Sequence, residues 1–282
     1  MRVLVTGAGG QVGHELQRVF ADCDLVALDH GALEVSQRED VLACVTAVQP
    51  DAVVHAAAWT AVDACESDPE RAFTMNALAC RHVADAARRV GAHLCYLSTD
   101  YVFDGTKPEP YTEWDSPSPR SAYGASKLAG EREADRNPDT TIVRLSWVCG
   151  RHGANMVKTI LRLAGEHDRL AFVDDQRGHP TFAADAAPLI RRLVAERRPG
   201  LFHVTNQGAV TWYEFARAVL EAAGLDPERV DPISTADLDP PRPAPRPANS
   251  VLDNVALRRS GIALLPHYRE PLDRLVAELV DR

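Results

Sequence analysis

Residues 2–20 read RVLVTGAGGQVGHELQRVF, and the reading of this stretch decides the fold. Val3, Leu4 and Val5 are an apolar run of strand length that gives out at Thr6. Glycines follow at 7, 9, 10 and 13, and a helical pattern runs from Val12 to Phe20. Strand, glycine turn and helix in that order open a βαβ unit. Gly7, Gly10 and Gly13 satisfy GxxGxxG, whereas Val12 breaks the GxGxxG spacing that needs glycine there. The physics of the two spacings is shared. Glycine permits a tight turn and close backbone approach, and the helix N-terminus offers free N–H groups to a pyrophosphate. A glycine loop after a strand also serves as a plain turn, so the assignment depends on its surroundings.

Those surroundings alternate. Strands are expected at 24–28, 52–55, 93–97 and 141–146, with helices at 36–48, 68–90 and 121–134 between them. Capping-box spacing from Ser67 to Glu70 marks the start of the long helix. This order predicts an α/β fold, a Rossmann-type doubly wound parallel sheet with helices on both faces. After Gly150 the pattern becomes irregular: helices at 154–164, 183–196, 212–223 and 267–280, strands at 170–173 and 201–204. We expect a dinucleotide-binding domain over residues 1–150, joined by part of 180–205, and a smaller substrate-binding α/β domain over 151–282. The Pro-rich segment 239–247 reads as a linker or as a loop over a site.

Within this frame several residues face a choice. Asp29 closes the second strand roughly twenty residues beyond the glycines, where an acid takes the ribose hydroxyls of a dinucleotide or merely closes the turn Asp29-His30-Gly31. Ala56, Ala57 and Ala58 are small where a cofactor would pass. Trp59 is a core aromatic or a pocket wall, and Asn76 a solvated helix residue or a partner of the cofactor.

With 45% hydrophobic and 25% charged residues, 282 residues bury a large core as one elaborate domain or two intimate ones. The net charge of −9, without a basic run beyond arginine pairs, argues against nucleic acid and membrane surfaces. Six cysteines lack metal-ligand spacing and suit free thiols in a reducing compartment. The short apolar start and the absence of a long uncharged apolar run point to the cytoplasm.

Chemistry gathers at Thr99, where an apolar strand gives out, and at Tyr123 and Lys127, one turn apart on a helix. A free tyrosine, with a pKa near 10, is a poor acid or base at neutral pH. Lowering it by about three units requires ~4 kcal/mol, and one ammonium at ~4 Å supplies about that at an effective dielectric near 20. Lys127 is therefore expected to activate Tyr123, with the Thr99 hydroxyl holding the reacting oxygen. YxxxK also arises by chance, and a lone Thr at a strand end bonds to backbone.

Taken together, GAGGQVGHEL (7–16), AAAWTAVDACES (56–67), LSTDYVFDG (97–105), YGASKLAGE (123–131), RLSWV (144–148), DDQRGHPT (174–181) and RPANSVLD (246–253) resemble the dTDP-4-dehydrorhamnose reductase family. That family belongs to the extended short-chain dehydrogenases/reductases, which use GxxGxxG. The resemblance implies reduction at C4 of a dTDP-6-deoxy-4-ketohexose by NADH or NADPH. It implies that Thr99, Tyr123 and Lys127 are catalytic. Gly7, Gly10, Gln11, Val12, Asp29 and Ala56 to Ala58, with Tyr123 and Lys127, would line the cofactor. Asp100, Tyr101, Trp147, Asn155 and Arg246 would face the dTDP-sugar. Asp29 followed only by His30 favours NADH at least as well as NADPH; a strong NADPH preference would implicate Arg38 or another base folding over the phosphate.

The chain departs from the family at Cys149, where an aromatic usually follows Trp-Val, and at Met156, where phenylalanine is common. Some members dimerise around magnesium held by glutamates. Here Glu15 remains at one position, but the other reads Phe182-Ala183-Ala184-Asp185, so a metal-independent monomer or weak homodimer is expected. Two rivals share the fold: a sugar-nucleotide dehydratase or epimerase, and a non-catalytic regulatory subunit. Dehydratases carry Asp-Glu after the threonine, where this chain has Asp100-Tyr101.

Overall fold

The computed structural model describes residues 1–280. Six strands, β1 (Arg2–Thr6), β2 (Asp24–Leu28), β3 (Ala52–His55), β4 (His93–Thr99), β5 (Thr140–Leu145) and β6 (Gly200–His203), form one parallel sheet in the order β6-β5-β4-β3-β1-β2. The order reverses between β1 and β3, and a crevice opens there at the carboxyl ends of the strands.

Alternation along each strand feeds two cores. Val3, Val5, Val54 and Cys95 face one side with Leu16, Phe20, Ile190 and Leu193, whereas Leu4, Val53, Leu94 and Tyr96 face the other with Val41, Val45 and Val83. Helices Gln11–Val19 and Ala183–Ala195 therefore cover the first face, and Arg38–Val48 and Ala79–Val90 the second.

The expected helix over 68–90 is not a single element. Pro69–Phe73 is α-helical, Thr74–Leu78 is a π turn, and Ala79–Val90 continues as α-helix. Nor is Ser67 its cap: the Ser67 hydroxyl donates to the Asp63 carbonyl and closes the helix Val62–Ser67, while Asp68 accepts the Arg71 N–H at 3.1 Å. A residue before proline is driven out of helical geometry, and Asp68, at φ −138°, is free to cap.

A third core lies beyond Gly150. Helices Met156–Glu166, Trp212–Ala222 and Arg269–Val280 pack Val157, Ile160, Phe215, Val219, Leu272 and Leu275 together, beside the parallel pair Leu170–Val173 and Val230–Ile233. Residues 239–247 have no helix or strand and run back to the first half, where the Ala244 N–H reaches Asp63. Among the described residues, no helix is long and apolar enough to cross a membrane.

Candidate active site

The turn after β1 is built for a ligand that comes close to backbone. Gly7 sits at φ +73°, and a Cβ there would stand 2.5 Å from the Ala57 nitrogen. A Cβ on Gly13 would meet the Gly7 carbonyl oxygen at 2.2 Å. Gly10 caps the following helix without a side-chain bond, so the first-turn N–H groups remain for an anion. Gly7, Gly10, Gln11, Val12, Ala56 and Ala58 line one cleft of about 620 Å³ with Thr99, Asp100, Tyr101, Tyr123, Lys127 and Trp147. A second compartment of about 490 Å³ shares the glycines and adds Asp29 and Ala57. These residues fit a dinucleotide laid across the strand ends.

Asp29 meets both of its readings. One carboxylate oxygen accepts the Ala32 N–H at 3.0 Å and closes the turn, while the side chain still lines the second compartment.

Tyr123 and Lys127 are held by the helix Ala122–Ala134, which Ser121 caps through the Gly124 N–H at 3.1 Å and Glu66 steadies through the Ala122 N–H at 2.8 Å. Burial pushes the Tyr123 phenol well above its usual range, while the neighbouring Thr99 hydroxyl favours its ionised form. The expected lowering by Lys127 is therefore not what this geometry produces. The ammonium donates to the Leu97 carbonyl at 2.6 Å and lies 4.1 Å over the Tyr96 ring, and burial lowers it to about 8. Both side chains line the same cleft.

Thr99 ends β4 and donates to Asp100 at 3.0 Å, while its oxygen accepts the Tyr101 N–H at 3.2 Å. Asp100 also accepts the Ser146 hydroxyl at 3.0 Å; burial raises its carboxyl to about 6 despite these bonds and a further one from Ser250. Tyr101 packs edge-on against Tyr123, ring centroids 5.6 Å apart.

Trp147 is held in the left-handed region at φ +43°, an uncommon conformation for a bulky side chain and one that marks functional sites. Its indole stacks 3.5 Å from that of Trp212, and a Cβ on Gly178 would come within 2.6 Å of it. Both tryptophans line the cleft. Sequence reasoning missed Trp212, although the Thr211–Glu214 capping box marks the helix it begins. It also missed Ser146 and Ser250, because nothing local shows that a strand end and a distant loop meet on one carboxylate.

Two expected substrate residues are not on the cleft wall. Asn155 caps the helix Met156–Glu166 through the Lys158 N–H, and its amide donates to Gln11 at 3.0 Å and to the Gly150 carbonyl at 2.7 Å. Its polar atoms are thus consumed in tying the glycine turn to the third core. Arg246 is held by Asp63 through two bonds of 2.5 and 2.7 Å. Partners far along the chain hold these groups, and Arg246 also neighbours Tyr101 of the cleft wall.

Asp185, one residue beyond the alanine that stands where the resemblance would place a second glutamate, is engaged by protein groups. Asp185 accepts from Asn206 at 2.8 Å and Arg274 at 2.7 Å, and the small cavity beside it places Arg151 and Arg274 next to Glu15 and Glu278. Among the described residues, no group of three or more potential ligands is assembled.

A parallel sheet with its glycine turn at the switch point, and Thr99, Tyr123 and Lys127 at the strand ends beside it, define an extended short-chain dehydrogenase/reductase. A family model described as RmlD substrate binding domain matches residues 1–280. A dTDP-4-dehydrorhamnose reductase of Burkholderia thailandensis is 42% identical over 301 residues, covering 100% of both chains. The crystal structure of a dTDP-4-dehydrorhamnose reductase from Clostridium acetobutylicum superposes with a TM-score of 0.95 at 38% identity, covering 99% of each chain. That of the Bacillus anthracis dTDP-4-dehydrorhamnose reductase in complex with NADP gives 0.94 at 38% identity, covering 98% of this chain and 99% of that one. The chain belongs to the RmlD family of dTDP-4-dehydrorhamnose reductase-like proteins.

Proposed function

We propose that this protein reduces the C4 ketone of a dTDP-6-deoxy-4-ketohexose, dTDP-4-dehydro-L-rhamnose or a close relative, with NADH or NADPH. The observation that carries this reading is that Thr99, Tyr123 and Lys127 line one cleft with the glycine turn and the stacked Trp147–Trp212 pair. When bound, the nicotinamide supplies the hydride to C4. Tyr123 gives its proton to the C4 oxygen, so the ketone gains one hydride and one proton and becomes an alcohol. Lys127 stays largely cationic and stabilises the phenolate left behind. Thr99 orients the oxygen, and Asp100 orients Thr99.

The third core, within residues 151–282, serves as the sugar-nucleotide domain, and β6 with the helix Ala183–Ala195 belongs with residues 1–150 in the dinucleotide-binding domain. A cytoplasmic enzyme that needs no metal and is monomeric or weakly dimeric completes this reading. A dehydratase would want a second acid after Asp100. Tyr101 stands there with its hydroxyl turned to Arg246. A regulatory subunit has no use for the three catalytic side chains together.

The test is cofactor oxidation with a panel of dTDP-4-keto-6-deoxyhexoses and identification of the alcohol formed. Turnover with none of them overturns the proposal.

A further inference from the structure

The second compartment contains an arginine that the reduction chemistry does not use. Arg71 lines it beside Trp59, with its guanidinium carbon 4.6 Å from the centre of the indole. Stacked in this way, a guanidinium keeps its N–H groups in its own plane, free at the edge for oxygen ligands.

The backbone that carries this indole is fixed. Asn76, 1% exposed in the π turn, accepts the Trp59 N–H at 2.8 Å and donates to the Trp59 carbonyl at 3.1 Å. The same amide donates to Ser126 at 3.0 Å, on the helix that carries Tyr123 and Lys127. The Arg71 backbone is fixed as well, through its N–H to Asp68.

Electrostatics then give this side chain a task. The other bases near the end of β2 are already paired, Arg38 with Glu39 at 2.8 Å and His30 with Glu34 at 3.3 Å. Among the described residues, no carboxylate pairs with Arg71. A dinucleotide brings at least two phosphate charges into a protein of net charge −9, and a helix N-terminus offsets only about half a charge. A preorganised guanidinium at the compartment wall is the side chain that chemistry would select.

We infer that Arg71, placed over the Trp59 ring, binds a phosphate of the nucleotide cofactor. This rests on the proposed function for the presence of a dinucleotide. Two phosphates share the required chemistry, the pyrophosphate of either cofactor and the 2′-phosphate of NADPH alone.

The test is equilibrium calorimetry of NADPH and NADH with wild-type protein and with Arg71→Ala and Arg71→Lys, and thermal unfolding of each variant to confirm that it is folded. Loss of affinity by about tenfold or more for NADPH alone supports binding of the 2′-phosphate; the same loss for both cofactors supports binding of the pyrophosphate. Arg71→Lys retains charge but not the planar fork, so it recovers only part of the affinity. If a folded Arg71→Ala binds both cofactors within about twofold of wild type, a change of under ~0.5 kcal/mol, the inference is overturned. Wild-type protein that binds neither cofactor overturns the proposed function and this inference together.

Discussion

The Thr99 hydroxyl lies 3.0 Å from the carboxylate of Asp100 and also neighbours the Tyr123 phenol on the cleft wall. Asp100, sealed by Ser146 and 2% exposed, thereby sets the direction in which Thr99 can accept and donate. Its carboxyl is raised from 3.8 to about 6 by burial. Between those values the folded chain keeps a proton that the unfolded chain has released, so stability falls as pH rises through the window, by roughly 3 kcal/mol in all. Asp100→Asn removes that fall while keeping the shape, and lowers kcat by about tenfold through the misdirected Thr99 hydroxyl. Urea midpoints across the window check it; an unchanged slope in the variant contradicts the assignment.

Tyr123→Phe removes the acid and leaves the cleft otherwise intact. Turnover should drop by about a hundredfold or more, with cofactor affinity nearly unchanged. A variant that turns over near the wild-type rate would show that the proton comes from elsewhere.

Lys127, lowered to about 8 by burial, loses its charge as pH rises through that value, and the phenolate left by proton transfer loses its stabilising cation. The kcat/KM for reduction should fall on the alkaline side of about 8, because the protonated ammonium is the active form. Lys127→Met should be slow at every pH and lack that limb. A pH profile for wild type that stays flat through the limb refutes the role.

Asp63 and Arg246 are joined by two short hydrogen bonds across the Pro-rich segment. Asp63→Asn should free Arg246 for the substrate diphosphate and lower KM for the dTDP-sugar, while Arg246→Ala should raise KM by about tenfold. If the pair is only a tether, both variants raise KM. Comparing the two KM values separates these outcomes.

Arg274 pairs with Asp185, and Arg274 and Arg151 line the small cavity that contains Glu15 and Glu278, so two cations already face these carboxylates. Chelator should therefore change neither the activity nor the light-scattering mass. A dimer that dissociates and loses activity on chelation would contradict this.

The sequence by itself determined the strands of the sheet, the glycine turn and the helix that carries Tyr123 and Lys127. Buried runs such as Ala52–His55 and the glycine turn after β1 are local patterns, since period and turn chemistry act over a few residues. The i to i+4 placement of Tyr123 and Lys127 is local too. The cap at Asp68 was equally local and was open to reading from Pro69. Only the tertiary structure decided how polar groups were shared. Asn155 was taken by Gln11, and Arg246 by Asp63, because a buried donor or charge must find a partner and the nearest one lay far along the chain. It also turned Tyr123 upward in pKa, for burial removes water from the phenol and outweighs the favourable Thr99 hydroxyl. Finally, it brought Trp212 onto Trp147 and β6 beside β5, pairings that arise from packing and leave no mark on neighbouring residues.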